Sequence, residues 1–246
     1  MPELPDITVY CETVEAKLKG HTLSNIRFFN PFFLRSVEPT PQALFGKRVE
    51  GTHRLGKRVV IEFEDGLFAV IHLMIAGRLQ FKPTDAKTGS KRKLAMLDFD
   101  NGSIMVTEAG TKKRASFHVC SNETLSDHDP GGIEPLNVSE SEFSKALTHR
   151  NHTLKRVLTD PGIFSGIGNA YSDEILHKAK LSPILQSQKM NDEQIGALFK
   201  AVQSTLVEWT KHLRDEAGGE IPEKVTAFRP EMAVHGKYGE PCPVCE

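Results

Sequence analysis

Three groups of residues have the types and spacing to do chemistry. The chain opens Met1-Pro2-Glu3-Leu4-Pro5-Asp6. Proline at position 2 permits removal of Met1, which leaves a secondary amine at the chain end. An α-amino group titrates near ~7.7–8.0, so much of it is neutral and nucleophilic at physiological pH. Amines attack carbonyl-type carbons to give covalent iminium intermediates. A secondary amine gives an iminium that stays cationic and acts as an electron sink. Glu3 adjoins it, and a carboxyl beside a reacting amine carries protons in and out. The plainer reading of Pro2 and Pro5 is a lead into a helix.

The second group is Ile163-Phe164-Ser165-Gly166-Ile167-Gly168-Asn169-Ala170-Tyr171. Two glycines one residue apart let the backbone turn at the start of a helix. Free N–H groups and the helix dipole there form an anion site, to which Asn169 adds an amide. With Lys155 and Arg156 on the preceding helix, phosphate is the expected ligand. The third group is Cys242-Pro243-Val244-Cys245, one knuckle of a structural zinc site that needs four ligands. The other two cysteines, Cys11 and Cys120, fall in the first half and read as buried packing. Cys242 and Cys245 are half a site.

The elements that must position these groups follow from composition and period. A chain of 246 residues with 39% hydrophobic and 26% charged content is globular rather than disordered. Its longest apolar stretch, Leu67 to Ala76, includes His72 and falls short of the ~18 residues of a membrane span. The N-terminus lacks the basic and apolar regions of a secretory signal. Four cysteines are no disulfide framework, so a reducing cytoplasm or nucleoid is expected, with no membrane partner. The formal charge is -1, which alone disfavours a nucleic-acid partner. Yet the positive charges gather at Arg54/Lys57/Arg58, Lys87/Lys91/Arg92/Lys93, Lys112/Lys113/Arg114 and Arg150/Lys155/Arg156. A neutral sum can hide a basic face.

Ile7, Tyr10, Cys11, Val14 and Leu18 predict an amphipathic helix over 3–19, closed by Gly20. Strands are expected at Val59 to Phe63 and Leu67 to Leu73 around Glu64-Asp65-Gly66. Two more are expected at Leu94 to Phe99 and Ser103 to Thr107, around Asp100-Asn101-Gly102. Such hairpins point to an antiparallel sandwich. After Ser139 the period turns helical: Ser139 and Glu142 form a capping-box pattern, and residues 191–214 carry one apolar stripe from Ile195 to Leu213. The fold class is therefore α+β. The expected domains are a β-sandwich over 1–126, a linker over 127–138, a helical domain over 139–219, and a loop with a finger stub over 220–246.

Taken in order, Met1 to Asp6, Lys57 in Leu55-Gly56-Lys57-Arg58, His72-Leu73-Met74-Ile75-Ala76-Gly77, Gly131 to Leu136, Gly166 to Leu176 and Gly239 to Cys245 carry a resemblance. The chain resembles the formamidopyrimidine-DNA glycosylase/endonuclease VIII family of base-excision repair enzymes over nearly its whole length. The resemblance implies a helix-two-turns-helix element in the helical domain and a C-terminal zinc-finger hairpin. It makes Pro2 the nucleophile at C1′ of a damaged nucleotide and Glu3 the proton shuttle. Lys57, counted with them among the catalytic residues, and Asn169 are then phosphate-binding residues, and Met74 or Ile75 is the wedge that fills the void left by a flipped base. The partner is damaged double-stranded DNA, bound by a monomer, with strand cleavage by β- and usually δ-elimination.

Two departures matter. The branch that prefers 8-oxoguanine opposite cytosine carries an Asp-Pro-Arg-Arg-Phe-Gly run, whereas Thr107 to Ala115 here is basic without the Arg/Phe pair. The finger stops at Glu246, before its second cysteine pair and arginine. The chemistry requires no cofactor, and stoichiometric zinc is not expected in the chain as written. Two other classes compete: a protein that binds damaged or abasic DNA without turnover, and an N-terminal-proline tautomerase acting on small molecules.

Overall fold

The computed structural model describes residues 1–83, 92–222, 225 and 228–244. It divides into two compact units, neither of them one continuous stretch. Unit one comprises Met1–Pro2, Asp6–Asp129 and Leu213–Val225, and unit two comprises Glu3–Pro5, Pro130–His212 and Thr226–Glu246. Among the described residues, no helix is long and apolar enough to cross a membrane.

Unit one is built on the period of two that strands impose. The strands are β1 (Leu23–Phe28), β2 (Val49–Leu55), β3 (Arg58–Phe63), β4 (Leu67–His72), β5 (Gly77–Lys82), β6 (Lys93–Phe99), β7 (Gly102–Glu108) and β8 (Ser116–Ser121). They form two four-stranded sheets, ordered β1-β6-β7-β5 and β2-β3-β4-β8, and every strand pairing is antiparallel. Val59, Ile61, Ala69, Ile71, Phe117 and Val119 of the second sheet share a core with Leu79, Leu97, Ile104 and Val106 of the first. Val60, Phe68, Val70 and Cys120, the alternate residues, form a separate small cluster on the other face. The opening helix α1 (Leu4–Leu18) adds Ile7, Tyr10, Cys11, Val14 and Leu18 to the core. Burial pushes the Cys11 thiol up to about 12.

The two expected hairpins close differently. At Glu64-Asp65-Gly66, Asp65 (φ 63°) and Gly66 (φ 66°) are both left-handed, as a tight turn demands. At Asp100-Asn101-Gly102 the turn is Asp100-Asn101, and Gly102 is already paired opposite Phe99. Glycine is needed there for another reason. At φ 152°, a Cβ would come within 2.6 Å of the Phe81 ring and 2.7 Å of the Lys82 carbonyl.

Unit two is helical. It holds α2 (Glu140–Thr148), α3 (Leu154–Thr159), α4 (Asn169–Lys178) and most of α5 (Asp192–Ala217). Ser139 and Glu142 make the capping box at α2: the Glu142 N–H donates to Ser139 Oγ, and the Ser139 N–H donates to Glu142 Oε2. Phe143, Leu147, Val157, Leu158, Phe164, Tyr171, Ile175, Leu198, Val202 and Leu206 form one core. The segment between α3 and α4 is thereby fixed from below. Phe164 packs its ring 4.9 Å from that of Phe143.

Candidate functional site

The amino acids at positions 3 and 166–171 meet although they are far apart in sequence. Gly166 takes φ 80°, a conformation that favours glycine. This turns its carbonyl to accept from the Leu4 N–H (2.9 Å). The Glu3 carboxylate then lies across the N-terminus of α4. Oε2 accepts from the N–H of Gly168 (2.8 Å) and of Tyr171 (3.2 Å), and Oε1 accepts from Ala170 (3.0 Å). Glu3 is only 2% exposed. Backbone and side chain together leave it no freedom to turn.

This corrects the expectation of a phosphate at these amides. The anion at the α4 N-terminus is the chain's own carboxylate, because three N–H donors and the positive end of the dipole already have a buried partner. Asn169, by contrast, is exposed. Its backbone carbonyl accepts from Lys155 Nζ (2.8 Å), which also donates to Asp173 (2.5 Å). The Asn169 side chain is therefore presented on a braced first turn. Pro2, buried beside Met1 in the chain, is joined to Glu3 by one peptide bond, so a fixed Glu3 limits where the amine can be.

The other candidates belong to unit one, at a single end of the second sheet. Lys57 occupies the two-residue turn between paired Leu55 and Arg58, and Arg58 is opposite His72. After His72 the chain crosses to β5 through Leu73 to Ala76. Gly77 N–H donates back to the Leu73 carbonyl (2.9 Å), and a Cβ on Gly77 would meet that carbonyl oxygen at 2.2 Å. Met74, half-buried, is forced to φ 50°, rare for a residue with a side chain. Ile75 is 62% exposed. An apolar side chain held out on a strained turn is suited to insertion between bases. In sequence, His72 is one residue of a motif and carries no signal of its own. Strand register sets it opposite Arg58, close enough to Lys57 to feel its charge, and no local pattern encodes that.

The stretch Thr107 to Ala115 is organised by a second buried carboxylate. Glu108 (2% exposed) accepts from the N–H of Arg114 (3.0 Å to Oε2) and of Ala115 (3.3 Å). Lys113 Nζ donates to the Glu108 carbonyl. The basic loop is thus short and tied down.

At the tail, Cys242 Sγ is 3.4 Å from His177 Nε2, and Cys245 lies outside the described residues. Among the described residues no group of three or more His, Cys, Asp or Glu is placed to hold a metal. One thiol and one imidazole fall short of the four donors of a structural zinc site, so these residues do not by themselves fit one.

Comparison with known proteins bears on the whole chain. Residues 1–114 match the formamidopyrimidine-DNA glycosylase N-terminal domain, and residues 132–215 match the H2TH domain of the same enzymes. The formamidopyrimidine-DNA glycosylase of Desulforamulus reducens is 28% identical over all of this chain and 91% of its own length. That of Carboxydothermus hydrogenoformans is 29% identical over all of this chain and 92% of its length. Among solved structures, the Lactococcus lactis protein in complex with a FAPY-dG-containing DNA superposes with TM-score 0.87 at 24% identity. It covers 99% of this chain and 91% of that one, which shows a shared fold.

Proposed function

As the chain belongs to the formamidopyrimidine-DNA glycosylase family, we propose that it excises oxidatively damaged bases from double-stranded DNA and then cleaves the abasic site. The Pro2 amine attacks C1′ and loses its proton as the glycosidic bond breaks and the base leaves protonated; the C1′–O4′ bond then opens, O4′ takes a proton, and C1′ becomes the carbon of an iminium with Pro2. The resulting iminium draws electrons from C2′, so a proton is lost there and the 3′ phosphate departs; loss of the 5′ phosphate follows. Glu3 moves protons at this centre. Lys57 and Asn169 hold backbone phosphates, and Ile75, with Met74 behind it, fills the space of the extruded nucleotide. The reading includes a monomer at work on DNA in the cytoplasm, with no cofactor needed for the chemistry.

The observation that carries this reading is the Glu3 carboxylate, fixed by three backbone N–H groups directly beside the amine-bearing residue. A tautomerase has no use for an exposed Asn169 or an exposed Ile75. The test is borohydride reduction of the full chain with duplex containing an oxidised base or an abasic site. A covalent adduct mapping to Pro2 is expected. Pro2→Gly should lose base excision while its primary amine keeps part of the abasic-site cleavage. Tight binding of damaged duplex without any adduct would favour the binding protein. Full activity in protein whose intact mass retains Met1 would overturn the assignment of Pro2.

A further inference from the structure

The outer face of β2-β3-β4-β8 carries a group of bases that the reading above does not use. Strand register sets Arg58, His72 and Ser116 abreast, and in the next row His118 stands opposite Val70. The His128 ring meets that of His118 edge-on at 4.4 Å. Arg35 joins them, since its N–H donates to the Phe117 carbonyl (2.9 Å) beside His118. The other half of this face is apolar: Val60, Phe68, Val70 and Cys120, with Leu55 and Leu125 packed on them. The helical turn Leu125–His128 therefore covers the apolar half and brings His128 to the basic half.

The basic half has a definite electrostatic character. Lys57, Arg58 and Arg35 are its fixed cations, and from the segment after β8 the Asp129 carboxylate acts on Arg58 and that of Asp127 on His128, so a bound phosphate would share the guanidinium with Asp129. His72 is held down at about 4, first by burial and then by Arg58, Lys57 and His118. His118 is also held at about 4, by burial and by His128, Arg58 and Arg35. His128 is lowered by burial and Arg58, partly offset by Asp127. Half-buried bases that suppress one another's protonation are relieved by an anion placed among them. No group of His, Cys, Asp and Glu among the described residues is arranged for a metal cation.

We propose that this face binds a backbone phosphate of duplex DNA outside the lesion, with Arg58, His118 and His128 as its ligands and His72 linking it to Lys57. It rests on the reading of the chain as a DNA enzyme and extends the backbone track away from the reacting centre. A guanidinium pairs with phosphate through a planar fork, and imidazole adds a donor on either side. Binding is then coupled to protons. The phosphate raises the imidazole pKa values, protons are taken up on binding, and affinity rises as pH falls. An imidazole returned from about 4 to the ordinary ~6.5 strengthens binding about tenfold between pH 7.5 and 5.5.

The experiment measures binding of the full chain to undamaged and abasic duplex by anisotropy, across salt at pH 7.5 and 5.5. Arg58→Gln should reduce the log–log salt slope by about 0.9, the release from one phosphate, and Arg58→Lys should restore it. The double variant His118→Gln/His128→Gln should lose most of the gain at pH 5.5. Circular dichroism establishes that each variant is folded. An unchanged slope in Arg58→Gln, or an unchanged pH ratio in the double variant, overturns the proposal. Inorganic phosphate is the second arm, with the His118 and His128 ring protons followed by NMR. Duplex should shift them at its binding concentration and phosphate only weakly; saturation by phosphate with no response to duplex also overturns it. Borohydride trapping in the same samples separates the two readings. A chain that traps abasic DNA but fails these tests refutes the face alone, and one that passes them without trapping refutes the proposed activity alone.

Discussion

Replacing Glu3 by Gln tests the central geometry through stability as well as activity. The glutamine oxygen can take the place of Oε2 and still accept from Gly168 and Tyr171. Its amide nitrogen then replaces Oε1 and faces the Ala170 N–H, donor against donor. At a site only 2% exposed, water cannot compensate. The loss comprises a charge at a helix N-terminus, worth up to ~2 kcal/mol, and one buried donor left unsatisfied, worth about 1–3 kcal/mol. A destabilisation of about 2–4 kcal/mol is expected. With a urea slope of about 2 kcal/mol per molar, the midpoint should fall by roughly 1–2 M. Trp209, the chain's one tryptophan, packs 5.9 Å from the Tyr171 ring and reports on this unit by fluorescence. A carboxylate held there under repulsion would respond in the opposite sense, its removal stabilising the protein. An unchanged or raised midpoint for Glu3→Gln would therefore refute the view that this carboxylate is the structural cap of α4.

Ile75→Ala should leave the unfolding free energy unchanged to within about 0.5 kcal/mol, while base excision falls and cleavage of preformed abasic sites persists; equal loss of both would remove Ile75 from the wedge. Gly77→Ala must push aside the Leu73 carbonyl, so it should cost about 1–3 kcal/mol and lower excision with it, read by calorimetry and single-turnover cleavage. Unit one should lose stability as pH falls from ~6.5 toward 4, because the unfolded chain takes up protons that His72 and His118, held at about 4, refuse. Urea midpoints at pH 7 and 4.5 should differ less in His72→Gln/His118→Gln than in the parent chain. Asn169→Ala should weaken damaged and undamaged duplex alike, since phosphate contacts position without specifying; a loss confined to one lesion would place Asn169 at the base.

Much of the fold was legible because its signals are local. The spacing from Ile7 to Leu18 describes α1, the pair Ser139 and Glu142 describes the start of α2, and Asp65-Gly66 describes a turn, since each depends on neighbours within a few residues. The candidate site was legible only as an ordered set of motifs that resembles a family. Three features were decided by tertiary structure. By local sequence the amides at the α4 N-terminus read as a phosphate site, and it is Glu3, more than 160 residues away, that occupies them. Gly102 looked like a turn residue, and its need for glycine comes instead from Phe81 and Lys82 on another strand. Arg58, His72, His118 and His128 are spread over 70 residues of sequence, and only sheet register and the turn after β8 bring them to one face. Periodicity fixes which side of an element is apolar through short-range sterics and burial. Which polar groups meet across the fold depends on how whole elements pack, and no local pattern encodes that.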